Sequence, residues 1–464
     1  MRARLGLLVL AACGSHAEAP RPVATASAAV TVAPTPPPPQ KPTFSTAWIE
    51  DDYPRALAEA KKADVPLFVD ASAVWCHTCK AMRAYVLDDP ALPHEMVRLS
   101  FDVEKDQNAA AAAAFPAHVL PSFFVVDPRD GAVHGRWEGA ASVRQMRTFL
   151  TDAARSIALA RDQKLDPSDP LAILLSAQRA SMQKKFADAT AAYARALAAA
   201  PKGWDHEAEA MLGLLEAQSR DPAACIVTAE RGLDRGLAIF GPTSVLADFA
   251  SDALDCVEKG TDARSKHVRE LVAKDVAALA ADPNATLSPD DRADAWKIVW
   301  DAREALGDHA GALEAARARL AVILAVVAAH PEPELTTTYD GARMETLEFL
   351  GRGAEAAQFL EAQEKALPDD YNPPHRLAHV YFKLKKYPQA LSAIDRAIGK
   401  GYGARKGLML RLKSDILLAM GKKREAIAAL RAQLALYRAL PEGQRKPGYE
   451  KTVEDQIAKL ESSR

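Results

Sequence analysis

The stretch AVWCHTCKAM, residues 73–82, sets two cysteines three apart directly behind a tryptophan, in a chain whose other cysteines are Cys13, Cys225 and Cys256. Just before it runs Val65-Pro66-Leu67-Phe68-Val69, a short apolar segment with the length and branching of a buried strand. Behind it, Ala81, Met82, Tyr85 and Val86 continue at helical spacing. Cys76 therefore follows a strand and opens a helix. There the positive end of the helix dipole and the unpaired backbone N–H groups favour thiolate over thiol. Cys79 falls on the same helix face, where it can resolve a mixed disulfide formed on Cys76.

Other uses of two such cysteines are disfavoured. A c-type haem needs histidine after the second cysteine, and Lys80 stands there. A structural zinc site needs four ligands, and no second cysteine pair or His-x-x-His cluster is nearby, leaving His118 and His134 as the histidines able to approach. The pair reads as redox-active, with no metal and no bound cofactor.

Working outward, residues 44–162 alternate helix and strand signals. An amphipathic helical stretch from Trp48 to Ala63 is followed by strands at Val65–Val69, Met96–Val103, Pro121–Asp127 and Ala132–Trp137. An alanine-rich helix ends near Ala114, Asp127-Pro128-Arg129-Asp130-Gly131 makes a turn, and Ser142 to about Ala160 forms a closing helix. Residues 166–464 carry helix signals alone, recurring at intervals of about 34 residues, a period of paired-helix repeats. The register is clearest at 170–203, with Ala177, Ala180, Phe186, Ala189 and Tyr193, and at 371–404, with Leu377, Ala378, Tyr387, Ala390 and Ala397.

The totals agree with a helix-rich multidomain chain. Of 464 residues 49% are hydrophobic but only 6% aromatic, and 59 basic residues balance 61 acidic ones, so no long-range field gathers nucleic acid. Arg2 and Arg4 precede an apolar run ending Leu10-Ala11-Ala12-Cys13, the order of an export signal. Residues 13–43 are rich in alanine and proline and cannot bury a core; extended, about thirty residues reach on the order of 90 Å, a stalk.

Three resemblances follow from these residues. Leu10 to Cys13 resembles the lipobox of bacterial lipoproteins. This implies that residues 1–12 are removed, that Cys13 is lipidated, and that the protein faces the periplasm on a lipid anchor, the outer membrane being favoured over the inner. The segment Val69 to Lys80 is similar to the active-site segment of thioredoxin-fold proteins, nearest the secreted or membrane-tethered branch. Carried over, Cys76 is the nucleophile, Cys79 the resolving thiol, Asp70 the buried carboxylate assisting proton transfer and Pro121 the cis-proline beside the disulfide. Trp75, His77, Thr78 and Lys80 flank the motif. His77 and Thr78 replace the glycine and proline of thioredoxin; a protonated His77 would favour the thiolate and a more oxidising pair. Residues 166–464 resemble tetratricopeptide repeats, which implies an all-α superhelix with a groove for a protein partner.

Cys225 and Cys256 lie in adjoining helical hairpins. Cys225 occupies a small buried register position, so an inert core thiol is the first expectation. A structural disulfide between the two is the alternative in an oxidising compartment. The functional expectation is an extracytoplasmic thiol–disulfide oxidoreductase acting on protein thiols or disulfides, whether as reductant, oxidant or supplier of reductant to cytochrome maturation. The rival is a repeat scaffold for envelope assembly whose thioredoxin fold binds or regulates.

Overall fold

The computed structural model describes residues 47–117, 119–162, 166–441, 444–445 and 448–462. Cys13, the export signal, the stalk and His118 lie outside them.

Five strands form one mixed sheet: β1 (Trp48–Glu50), β2 (Leu67–Ser72), β3 (Val97–Asp102), β4 (Ser122–Val126) and β5 (Val133–Glu138), in the order β1-β3-β2-β4-β5. Strands β1 and β2 run parallel to β3, whereas β4 is antiparallel to β2 and β5 to β4. Four helices cover the sheet: α1 (Tyr53–Ala63), α2 (His77–Tyr85), α3 (Ala109–Ala114) and α4 (Val143–Arg161). Side chains alternate across a strand, and both faces are buried. Leu67, Val69 and Ala71 of β2 join Phe124 and Val126 against the alanines of α1 and α3. Phe68, Phe123 and Val125 point the other way, against Met82 of α2 and Met146 and Phe149 of α4. Asp70 shares the parity of Phe68 and so points to the side of α2.

One expectation needs correcting at the N-terminal edge. Trp48–Glu50 is not the start of a helix but a strand, pairing with Arg98–Ser100. Asp51 takes a left-handed backbone conformation, φ 56°, and Asp52 caps α1 by accepting from the Arg55 N–H. The helical periodicity begins after that turn.

Helical hairpins follow. The first four pair α5 (Pro170–Met182) with α6 (Phe186–Ala199), α7 (Glu207–Ala217) with α8 (Pro222–Asp234), then, after the short α9 (Gly236–Phe240), α10 (Ser244–Cys256) with α11 (Ala263–Ala281), and α12 (Pro289–Ala305) with α13 (His309–Ala329). The short α14 (Pro333–Thr336) leads to three more pairs: α15 (Asp340–Phe349) with α16 (Gly353–Ala366), α17 (Asn372–Lys383) with α18 (Tyr387–Lys400), and α19 (Gly403–Ala419) with α20 (Lys423–Ala439). The last helix is α21 (Tyr449–Ser462). The two clear copies in the sequence are the α5–α6 and α17–α18 hairpins. The interval stretches between them because α11 has 19 residues and α13 has 21. Small residues sit where helices meet: a Cβ at Gly213 would stand 2.5 Å from the Tyr193 ring. No helix among the described residues is long and apolar enough to cross a membrane.

The apolar cluster that starts under the sheet at Phe68 and Phe123 runs on through α4 into Leu215, Leu233, Phe249 and Trp300 of the repeats. Residues 42–464 form one compact unit. The α/β body and the helical layer therefore share a core.

Candidate functional site

The strand β2 delivers the chain to Ala73, and Cys76 becomes the N-cap of α2 with extended backbone, φ −76° and ψ 109°. Its Sγ accepts the Cys79 backbone N–H at 3.0 Å, and the two sulfurs are bonded, Cα to Cα 5.3 Å. A cap residue whose side chain accepts from the first helical turn is the local reason for the sulfur's placement. Ala73, Cys76 and Cys79 pack with Trp75, Val103 and Leu120. The loop before β4 lies beside the pair through Leu120, and its Leu120–Pro121 peptide bond is cis.

Asp70 is buried at 4% exposure; its Oδ2 accepts from Ser100 Oγ at 2.9 Å and lies 3.8 Å from Arg83 Nη1, while its Oδ1 has no hydrogen-bond partner. Burial pushes its pKa up to about 6 against the pull of Ser100 and Arg83. The polar partner that the structure gives Asp70 is thus Ser100 rather than Cys79.

The surroundings of the pair come from the repeats. On α2, His77, Lys80 and Tyr85 share one stripe at roughly three- to five-residue spacing, opposite the face that carries Cys79 and Met82. His77 Nε2 meets Asp294 Oδ2 of α12 at 2.9 Å, and the Asp294 charge pushes the His77 pKa up to about 9. Lys80 Nζ reaches Thr337 Oγ1 at 3.5 Å, and burial lowers its pKa to about 8. Tyr85 and Tyr339 meet through their hydroxyls at 3.2 Å. Thr78 is half-buried in the first turn.

Trp75 packs against the core of the later repeats, under the Arg405 guanidinium 4.7 Å from its ring centroid. The turn after β3 seats itself on the start of α19. Asp102 Oδ2 accepts from Tyr402 Oη at 2.7 Å, Glu104 Oε2 accepts the Arg405 N–H at 3.3 Å, and the Lys105 carbonyl accepts from Gln444 Nε2 at 2.7 Å. Burial pushes Glu104 up to about 7, and the neighbouring Asp102 adds to it. At the opposite edge, Gln178 of α5 donates to the Arg136 carbonyl of β5 at 3.2 Å, and His206 bridges Asp152 of α4 and Glu209 of α7. From α5 to Gln444 the helical layer thus touches the α/β body, and Cys76 and Cys79 are left only 3% and 6% exposed.

A cavity of about 390 Å³ opens at Val119 and Gly139, next to the cis-proline loop, lined among others by Glu138, Glu216, Asp248 and Asp252. Burial raises the pKa values of Glu216 and Asp248 well above the usual carboxylate range and that of Asp252 to about 7. Cys225 and Cys256 line the same cavity and are joined, Cα to Cα 5.7 Å. The expectation of an inert core thiol at Cys225 is thereby corrected: α8 and α10 pack side by side and bring the sulfurs within bonding reach. His134, weighed above as a zinc ligand, is instead buried beside Ser156 Oγ at 3.1 Å.

Sequence reasoning located the pair, the cis-proline loop and Asp70, but not Asp290, Asp294, Thr337, Tyr402 or Arg405. These lie more than 200 positions along the chain, and nothing local marks them as neighbours of Cys76. The spacing of Asp290 and Asp294 on one helix face is the single available signal.

Residues 48–128 match the family model described as thioredoxin-like. After this thioredoxin-like α/β region the chain continues as a run of paired helices. No curated protein sequence matches it. Similar solved structures include a tetratricopeptide repeat protein from Parabacteroides merdae, 12% identical over 64% of this chain and 100% of that one, with a TM-score of 0.41. Another is the APC/C hetero-tetramer Cut9–Hcn1, 15% identical over 66% of this chain and 52% of that one, with a TM-score of 0.29.

Proposed function

We propose that the protein is a thiol–disulfide oxidoreductase of protein substrates, lipid-anchored through Cys13 and facing the periplasm. The observation that carries this reading is the Cys79 N–H directed at Cys76 Sγ at a helix start. A donor already aimed at the sulfur stabilises the thiolate formed on reduction. In the reducing direction the Cys76 thiolate attacks a substrate disulfide, forming a mixed disulfide and releasing one substrate thiolate. The Cys79 thiolate then attacks Cys76 Sγ and releases the second. Two electrons pass to the substrate, and the Cys76–Cys79 bond closes. The reverse sequence oxidises a substrate dithiol.

Val74, two residues before Cys76, and Val119, two residues before the cis-proline, remain exposed at 36% and 47%, an apolar rim for a client segment. The repeats supply protein-binding surface beyond the part taken up by the chain's own α/β body. The test is trapping: with Cys79→Ala the mixed disulfide on Cys76 persists, and a client from envelope extract migrates with the protein on a non-reducing gel. The equilibrium of the pair against glutathione then assigns the direction.

A second reading has its own observation, the burial of both sulfurs, packed with Trp75, Val103 and Leu120. In it the α/β body braces a scaffold and the disulfide is structural. Failure of the Cys79→Ala variant to trap any client, together with no turnover of insulin by the wild type, selects it.

A further inference from the structure

Where α2 meets α12, His77, Asp290 and Asp294 bring one imidazole nitrogen and two carboxylate oxygens within 4.8 Å of one another. Asp290 and Asp294 are four residues apart on α12 and therefore share a face, and His77 is the first residue of α2. Asp290 forms the floor: it is 1% exposed, and its Oδ2 has no hydrogen-bond partner. The side chains of His77 and Asp294 form the rim, 41% and 34% exposed. Asp291, between them in sequence, is committed elsewhere, since its Oδ2 accepts the Ser288 N–H in the capping box of α12. Arg319 Nη2 holds the other Asp294 oxygen at 3.6 Å, which leaves Oδ2 directed at His77.

A carboxylate oxygen sealed from water with no donor is costly unless a proton or a cation satisfies it. Here it faces an imidazole and a second carboxylate with a route to solvent. We propose that His77, Asp290 and Asp294 form a divalent transition-metal site of the zinc class. One nitrogen and two oxygens are a borderline donor set, which favours Zn²⁺ and its neighbours over Mg²⁺ or Ca²⁺, whose sites are all-oxygen and more numerously ligated. Metal–ligand bonds of about 2.0–2.2 Å place tetrahedral ligand atoms on the order of 3.4 Å apart, so the rim atoms of His77 and Asp294, 2.9 Å apart, open slightly to admit the ion while closing on Asp290. Three protein ligands leave a fourth position for water. The ion joins the residue between the redox cysteines to the repeat layer, and so ties the start of α2 to α12 without itself passing electrons. The site stands independently of the thiol chemistry proposed above.

The experiment uses the full, untagged chain with the Cys76–Cys79 disulfide closed, so that thiolates do not compete, after chelator dialysis. Calorimetric titration with ZnCl2 should show one equivalent bound at micromolar affinity or tighter, and zinc should raise the melting temperature. Asp290→Asn and His77→Gln should each weaken binding at least tenfold and remove the thermal shift. His77 is at the solvent-facing rim, so that variant carries the test if the buried one does not fold. Zinc binding that survives His77→Gln, no binding at up to millimolar zinc, or equal affinity for MgCl2 would each overturn the proposal.

Discussion

The Tyr402 hydroxyl donates to Asp102 Oδ2 at 2.7 Å across 300 residues of chain, and the next residue, Gly403, lies against the Glu104 carbonyl. This is the point where the last repeats close over the turn after β3. Gly403 has φ +57°, and a Cβ there would stand 2.4 Å from Glu104 O. Both the backbone conformation and the close approach require glycine. Gly403→Ala is therefore expected to destabilise the protein by about 2–3 kcal/mol, read as a lower urea midpoint. Tyr402→Phe should cost about 1 kcal/mol.

Loosening that closure should also uncover the sulfurs. In the reduced protein, Cys76 is expected to react slowly with iodoacetamide because it is only 3% exposed, packed beside Trp75, which the later repeats hold. Arg405→Ala removes the cation over Trp75 and the guanidinium charge near Glu104, while the backbone N–H that Glu104 accepts remains. Alkylation of Cys76, followed by mass spectrometry, should then accelerate several-fold; an unchanged rate would mean that the burial does not govern access.

His206 makes the other seam between body and repeats pH-sensitive. Burial pulls its pKa down, but hydrogen bonds to Asp152 and Glu209 outweigh it and raise the value to about 10. A histidine held more basic in the folded state than its ordinary 6.5 contributes its full stabilisation below about pH 6.5 and loses it as pH climbs to 10. Stability should fall across that window by about 2–4 kcal/mol. Denaturation midpoints of His206→Gln should show this component of the slope missing.

Asp70 titrates in the opposite sense to a salt-bridged carboxylate. Its folded pKa of about 6 exceeds the ordinary 3.8, so its contribution is most favourable below 3.8 and is lost as pH rises through 6. At pH 7.5 Asp70→Asn should therefore stabilise the protein, by about 1–2 kcal/mol after allowing for the amide's own unmet donors. If the carboxylate also takes the Cys79 proton, the same variant should slow release of a mixed disulfide several-fold in stopped-flow assays.

The Cys225–Cys256 bond ties α8 to α10 across a sequence separation of 31. Replacing both with alanine should lower stability by about 2–4 kcal/mol in non-reducing denaturation. Free-thiol counting by mass should find neither residue labelled in the native, unreduced protein.

Much of the molecule is legible along the chain because the signals are local. The continuous apolar runs of β2 and β4, the N-cap position of Cys76, the glycine and proline turns and the alanine register of the α5–α6 and α17–α18 hairpins each depend on neighbours within one element or one turn. Trp48–Glu50 was misread because a three-residue edge strand owes its existence to pairing with Arg98–Ser100, which no local pattern reveals. The stretched middle repeats and the joining of Cys225 to Cys256 were hidden for the same reason: helix length and helix adjacency are settled by packing.

The amino-acid order by itself determined a thioredoxin-like segment with two cysteines three apart, followed by helical hairpins, since apolar strand runs, helix capping and hairpin periodicity are properties of short segments. Only the tertiary structure decided what stands over that motif. Asp294, Thr337, Tyr402 and Arg405 reach it because the hairpins continue the apolar core beneath the sheet and wrap back onto α2. Burial of that shared surface, summed over the whole helical layer, has no expression in any one stretch of the chain.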